Sequence, residues 1–154
     1  MPTPTYMDIA KVFKKQQFRI VEKEVIFLTT TTGAVAKKEL FTVTGTVIAA
    51  IFGVCSVDLT GATATIECGV SDDTDLFILT TTATTIDVGE LLSDATPATA
   101  KLLTTLLYAI IQDVDIGYEV KTAAIDTGTI KFYCLWFPIS SDGKVVAAGV
   151  NAAL

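Results

Sequence analysis

The chain has 154 residues, 51% of them apolar and 18% charged, with a formal net charge of −6 and a mean hydropathy of +0.56. That length suits one domain with its own core, and such an apolar excess calls either for a membrane or for a surface covered by other chains. No apolar run approaches the roughly 20 residues of a membrane helix, and one arginine in an acidic chain makes a poor phosphate footprint. The composition therefore points to assembly, with neither a membrane nor a nucleic acid as partner.

The charge is unevenly spread. Residues 1–39 carry seven basic and four acidic side chains, a balance of +3, and the remainder carries −9. Residues 1–19, opening with Pro2 and Pro4, read as an arm ahead of the domain. Met7, Ile9, Val12, Phe13 and Phe18 give it apolar anchors, as a helical stripe or along an extended strand, and Lys11, Lys14, Lys15 and Arg19 give it charge. These are the candidate partner-binding residues. The same basic residues break the first apolar cluster, so no secretory signal is expected and synthesis in the cytoplasm is.

Residues 20–28 are β-branched and aromatic and predict a strand, with the threonine run of 29–34 as the following loop. The long apolar stretch 40–57 contains Gly45 and Gly53, which predicts a bent strand or two consecutive ones. A turn over 58–61 leads to 62–70, whose alternation sends Ala62, Ala64, Ile66, Cys68 and Val70 inward and leaves Glu67 on a solvated face. Residues 71–75, Ser-Asp-Asp-Thr-Asp, have the oxygen density that calcium uses, but they lack the rest of an EF-hand and read as a solvated turn. Two short strands are predicted at 76–82 and 85–92. Leucines and isoleucines from Leu102 to Ile111 fall at helical spacing, yet the strand-rich surroundings favour a short helical turn to Thr105 and then a strand. A strand follows at 115–122.

Residues 128–138 read as the central strand. Ile130, Phe132, Cys134 and Trp136 face one side and Lys131, Tyr133, Leu135 and Phe137 the other, so apolar bulk lies on both. Pro138 ends it. A turn at 140–143 precedes a small apolar tail, residues 145–154. The pattern is that of an all-β protein: one antiparallel β-sandwich or jelly-roll-like domain over 20–144, with the N-terminal arm 1–19 and the C-terminal tail.

The residues offer little to catalysis. There is no histidine, so Cys55, Cys68 and Cys134 have no base to activate them and read as core thiols. No CxxC pair suggests zinc, and Glu67, Glu90 and Glu119 stand among threonine or apolar neighbours. No enzyme activity, cofactor or metal is expected.

Several phrases carry a resemblance: Leu-Phe-Thr-Val-Thr-Gly-Thr-Val at 40–47, Phe-Gly-Val-Cys at 52–55, Gly69-Val70, Thr81-Thr82-Ala83-Thr84, Gly89-Glu90, Asp94-Ala95-Thr96-Pro97 and Phe-Tyr-Cys-Leu-Trp at 132–136. In this order, over residues 21–143, the chain resembles a family of small proteins of tailed bacteriophages, mostly uncharacterised. The resemblance implies a virion context. Together with the residue evidence it leads to the expectation of a structural virion protein, a capsid decoration or cement protein. Its expected partners are further copies of itself, a trimer being favoured, and the major capsid protein or another virion protein. The alternative is a receptor- or carbohydrate-binding module of a tail or head fibre, with Trp136 or Tyr118 as a sugar-stacking ring.

Overall fold

In the computed structural model, which describes residues 18–154, ten strands form two antiparallel sheets of five. In chain order they are β1 (Arg19–Ile26), β2 (Ala36–Thr44), β3 (Thr46–Thr60), β4 (Thr65–Val70), β5 (Asp73–Thr82), β6 (Leu91–Leu92), β7 (Ala109–Gln112), β8 (Ile116–Lys121), β9 (Thr127–Pro138) and β10 (Lys144–Ala147). Sheet A runs β1-β9-β3-β6, with β7 also paired to β3, and sheet B runs β10-β2-β8-β4-β5.

The strand predicted to be central is so. β9 lies between β1 and β3, with Trp136 opposite both Arg19 and Ala49, and Phe132 opposite Lys23 and Gly53. Its Ile130, Phe132, Cys134 and Trp136 are buried against sheet B. Across the gap the Phe132 and Tyr118 rings stack 6.1 Å apart, and Phe27 meets Tyr118 edge-on at 5.7 Å. The Tyr118 hydroxyl donates to the Thr32 carbonyl at 2.7 Å, so this deep polar atom is satisfied.

The 40–57 stretch resolves into two strands in different sheets. Gly45, with φ of 64°, is the corner where β2 of sheet B becomes β3 of sheet A. Its amide donates to Asp113 at 2.6 Å, and a Cβ there would stand 2.5 Å from Asp142 Oδ1 and 2.6 Å from Ser140 Oγ. Gly53 lies within β3 without a break. The turn predicted at 58–61 begins later, because β3 runs on to Thr60.

Other expectations are corrected. Glu67 is not solvated: it is 2% exposed, because the β4–β5 hairpin folds over it, with bulges on either side of Cys68. Gly69 permits this, since the Asp73 carbonyl sits where its Cβ would be. The polar loop is only a tight turn, for β5 already starts at Asp73. Residues 85–92 form a strand only at Leu91–Leu92, since Ala83–Thr85 is a single 3-10 turn and Asp87 to Glu90 close a hydrogen-bonded turn. The short helical turn and following strand expected after Leu102 do form, as one 3-10 turn, Leu103–Thr105, and then β7.

Arg19 opens β1, and the tail begins inside β10, where Val145 is buried opposite Val43. Residues 148–154 then follow β2, with the Glu39 amide donating to the Ala152 carbonyl at 2.8 Å.

Candidate interaction surface

The two outer faces of the sandwich differ in chemistry. On sheet B the outward side chains include Lys37, Thr65, Glu67, Glu119 and Lys121. Lys121 bridges Glu67 at 2.6 Å and Glu119 at 3.5 Å. Burial alone would raise the Glu67 carboxyl. The hydrogen bonds from Lys121, Thr74 and Thr80 outweigh it and hold the group below the usual carboxylate range.

Sheet A presents the opposite surface. The register puts Ile20, Glu22, Glu24 and Ile26 of β1 beside Leu135, Tyr133, Lys131 and Thr129 of β9, and these beside Ala50, Phe52 and Val54 of β3. Ile110 of β7 stands opposite Ile48 on the same face. Ile20, Ile26 and Ile110 are 64%, 57% and 73% exposed. Phe52 stacks on Tyr133 at 5.0 Å, and Lys131 bridges Glu22 at 2.7 Å while lying over the Tyr133 ring. Beyond β3, residues 101–106 border a groove of ≈ 190 Å³ lined by Phe52, Leu91 and Leu106, and exposed Leu102 and Leu103 extend the apolar surface. Exposed isoleucines and leucines gathered on one face, around the Glu22–Lys131 pair, are the kind of surface that marks an interaction site.

A second concavity, of ≈ 390 Å³, opens between the sheets where β1 faces β2. Val25, Ile26, Leu28, Tyr118 and Val150 line it. Lys23 enters from β1 and donates to the Glu39 carbonyl at 2.7 Å and the Gly149 carbonyl at 2.8 Å, tying the tail to sheet A. Burial draws its ammonium below the ordinary lysine range, with Glu39 opposing.

Of the candidate partner-binding residues, Met7, Ile9, Val12, Phe13, Lys14 and Lys15 lie outside the described residues. Phe18 and Arg19 belong to the fold. Phe18 packs edge-on against Phe137 at 5.0 Å and near Tyr108 at 5.8 Å, at one corner of the sheet A face. Arg19 lies over the Trp136 ring, 5.1 Å from its centre. Trp136 and Tyr118 are 5% and 2% exposed, so neither ring is a platform for a sugar. Sequence reasoning read the loop leucines and Ile110 as a short turn and a strand and did not single them out as surface; which of them face outward is set by the pairing of β7 with β3.

The thiols are inert by environment. Burial pushes Cys55 up to about 11, with Val57 as an opposing hydrogen-bond acceptor, and Cys134 up to about 12; Cys68 is raised by burial and by Cys134. Asp73 and Asp75 stand on β5, and Asp73 is held above the usual range by desolvation and by its hydrogen bond to Asp75.

This architecture is matched among solved structures by a chain in the acidic stable capsid structure of Helicobacter pylori bacteriophage KHP30. The two chains share a fold. The TM-score is 0.53 at 16% identity, over 86% of this chain and 94% of that one. No family model and no curated protein matches the chain.

Proposed function

We propose that this chain is a structural protein of a bacteriophage virion, a decoration or cement protein that binds the capsid as a homo-oligomer, with a trimer favoured. The observation that carries the reading is the shared fold: nearly the whole of a chain from a phage capsid structure aligns with most of this one. The apolar outer face of sheet A supports it, because a surface so rich in isoleucine and leucine is stabilised by burial between chains. The major capsid protein, or another virion protein, is the partner this reading requires.

Cryo-electron microscopy of purified particles of the encoding phage tests it. The expected result is density for the ten-stranded sandwich on the capsid, and particles lacking the chain that open at lower temperature. Absence of the chain from particles, or its presence only in tail fibres, overturns the reading.

A further inference from the structure

The outer face of sheet A is covered at one corner, where Phe18 packs against Phe137 and near Tyr108, and is open at Ile20, Ile26 and Ile110; the point where the described chain begins indicates what can reach it. Phe18 is seated on that face beside Phe137, so the seventeen residues that precede it join the chain at the face itself. Residues 9–18, Ile-Ala-Lys-Val-Phe-Lys-Lys-Gln-Gln-Phe, contain none of the Gly, Pro, Asn, Asp or Ser residues that favour a tight reversal. Seventeen residues reach about 56 Å if extended and about 26 Å if helical, the second already close to the length of an eight-residue strand, about 27 Å.

We propose that residues 1–17 of one copy dock on the outer face of sheet A of a second copy, so that neighbouring copies are joined by their arms. This rests on the reading of the chain as an assembly protein. The chemistries match on both counts. Met7, Ile9, Val12 and Phe13 meet a face whose exposed side chains include Ile20, Ile26 and Ile110, and the groove beside Phe52 and Leu91 gives an aromatic anchor a seat. Lys11, Lys14 and Lys15 outnumber Asp8 in the arm. The face offers exposed Glu22, and Glu24, which has no ion-pair partner among the described residues.

The test uses the full chain and two variants, Phe13→Asp in the arm and Ile110→Glu on the face, followed by light scattering over a dilution series. The parent associates, and each variant alone associates at least about ten-fold more weakly, as loss of one buried large side chain requires. An equal mixture of the two regains association, because the arm of one variant and the face of the other are both intact. Thermal melts confirm that each variant is folded, and Ile26→Glu replaces Ile110→Glu if the latter is not.

Three results overturn the proposal. Phe13→Asp that associates like the parent, while Ile110→Glu does not, means that the faces pack directly on each other. A mixture that stays apart excludes arm exchange. A monomeric parent whose Ile20 and Ile110 resist hydroxyl-radical labelling at every dilution means that the arm covers its own sheet, and free labelling means that no arm covers it. All these readouts come from purified chain without particles, so failure here is separate from failure of the virion reading.

Discussion

Replacing Trp136 by alanine measures how much of the fold hangs on the sheet A core. Trp136 is the chain's single tryptophan and is 5% exposed, flanked across the ladder by Ala49 and Arg19. Truncating a buried aromatic costs about 3–5 kcal/mol. Ala49 is too small to move into the space, which places the cost in the upper half of that range. Loss of the cation–π contact with Arg19 adds roughly 0.5–1 kcal/mol. At about 2–4 °C per kcal/mol for a chain of this size, Trp136→Ala is expected to melt roughly 10–20 °C below the parent. Far-UV circular dichroism is the assay, since the mutation removes the fluorescent reporter. Trp136→Phe keeps a ring in place and is expected to lose about 1–2 kcal/mol. A shift for Trp136→Ala below about 3 °C refutes the reasoning, because a rigid, well-filled core cannot absorb that loss.

Gly45→Ala introduces both a positive φ for a residue with a Cβ and a collision with Asp142 and Ser140; a loss of about 2 kcal/mol or more in urea unfolding is expected, and an unchanged midpoint would show that the β2–β3 corner is pliable. Glu67 has a folded-state pKa below its unfolded one, so the stability it contributes is present above about pH 4.3 and lost as pH falls through the lower folded value. Glu67→Gln is therefore expected to be less stable than the parent at pH 7 and to show a shallower fall in urea midpoint on acidification, and parallel profiles for the two would contradict it.

Period-two alternation made β9 legible, because Ile130, Phe132, Cys134 and Trp136 alternate with a second set that is also apolar, and a strand of that kind has to sit inside a sheet. Gly45 likewise announced a change of direction, though not that the chain changes sheets there, since a glycine reports a local φ and not the packing beyond it. Glu67 was misplaced because its alternation is correct and its burial depends on β5 folding back through Gly69, which is a tertiary event. Residues 102–111 were legible despite their helical spacing: the strand-rich surroundings favoured one short turn and then a strand, and β3 offers the open edge that takes up Ala109–Gln112. The character of the candidate surface was present in the alternate face of β9. Its extent was not, because Ile20, Phe52 and Ile110 are far apart in the chain and share a surface only through the register.

The position of β9 has a consequence for how the protein is made. The chain alternates between sheets, entering A, B and A again before β4, and the strand joining β1 to β3 is not synthesised until residues 127–138. Until then β1 and β3 both carry an open edge that β9 will close, and sheet B lacks β10. Pairing between distant segments is slow, and exposed edges invite pairing with the wrong chain. Folding therefore waits until β9 and β10 have left the ribosome, and the nascent protein passes through a stage in which its hydrophobic middle is most open to unproductive contacts with other copies.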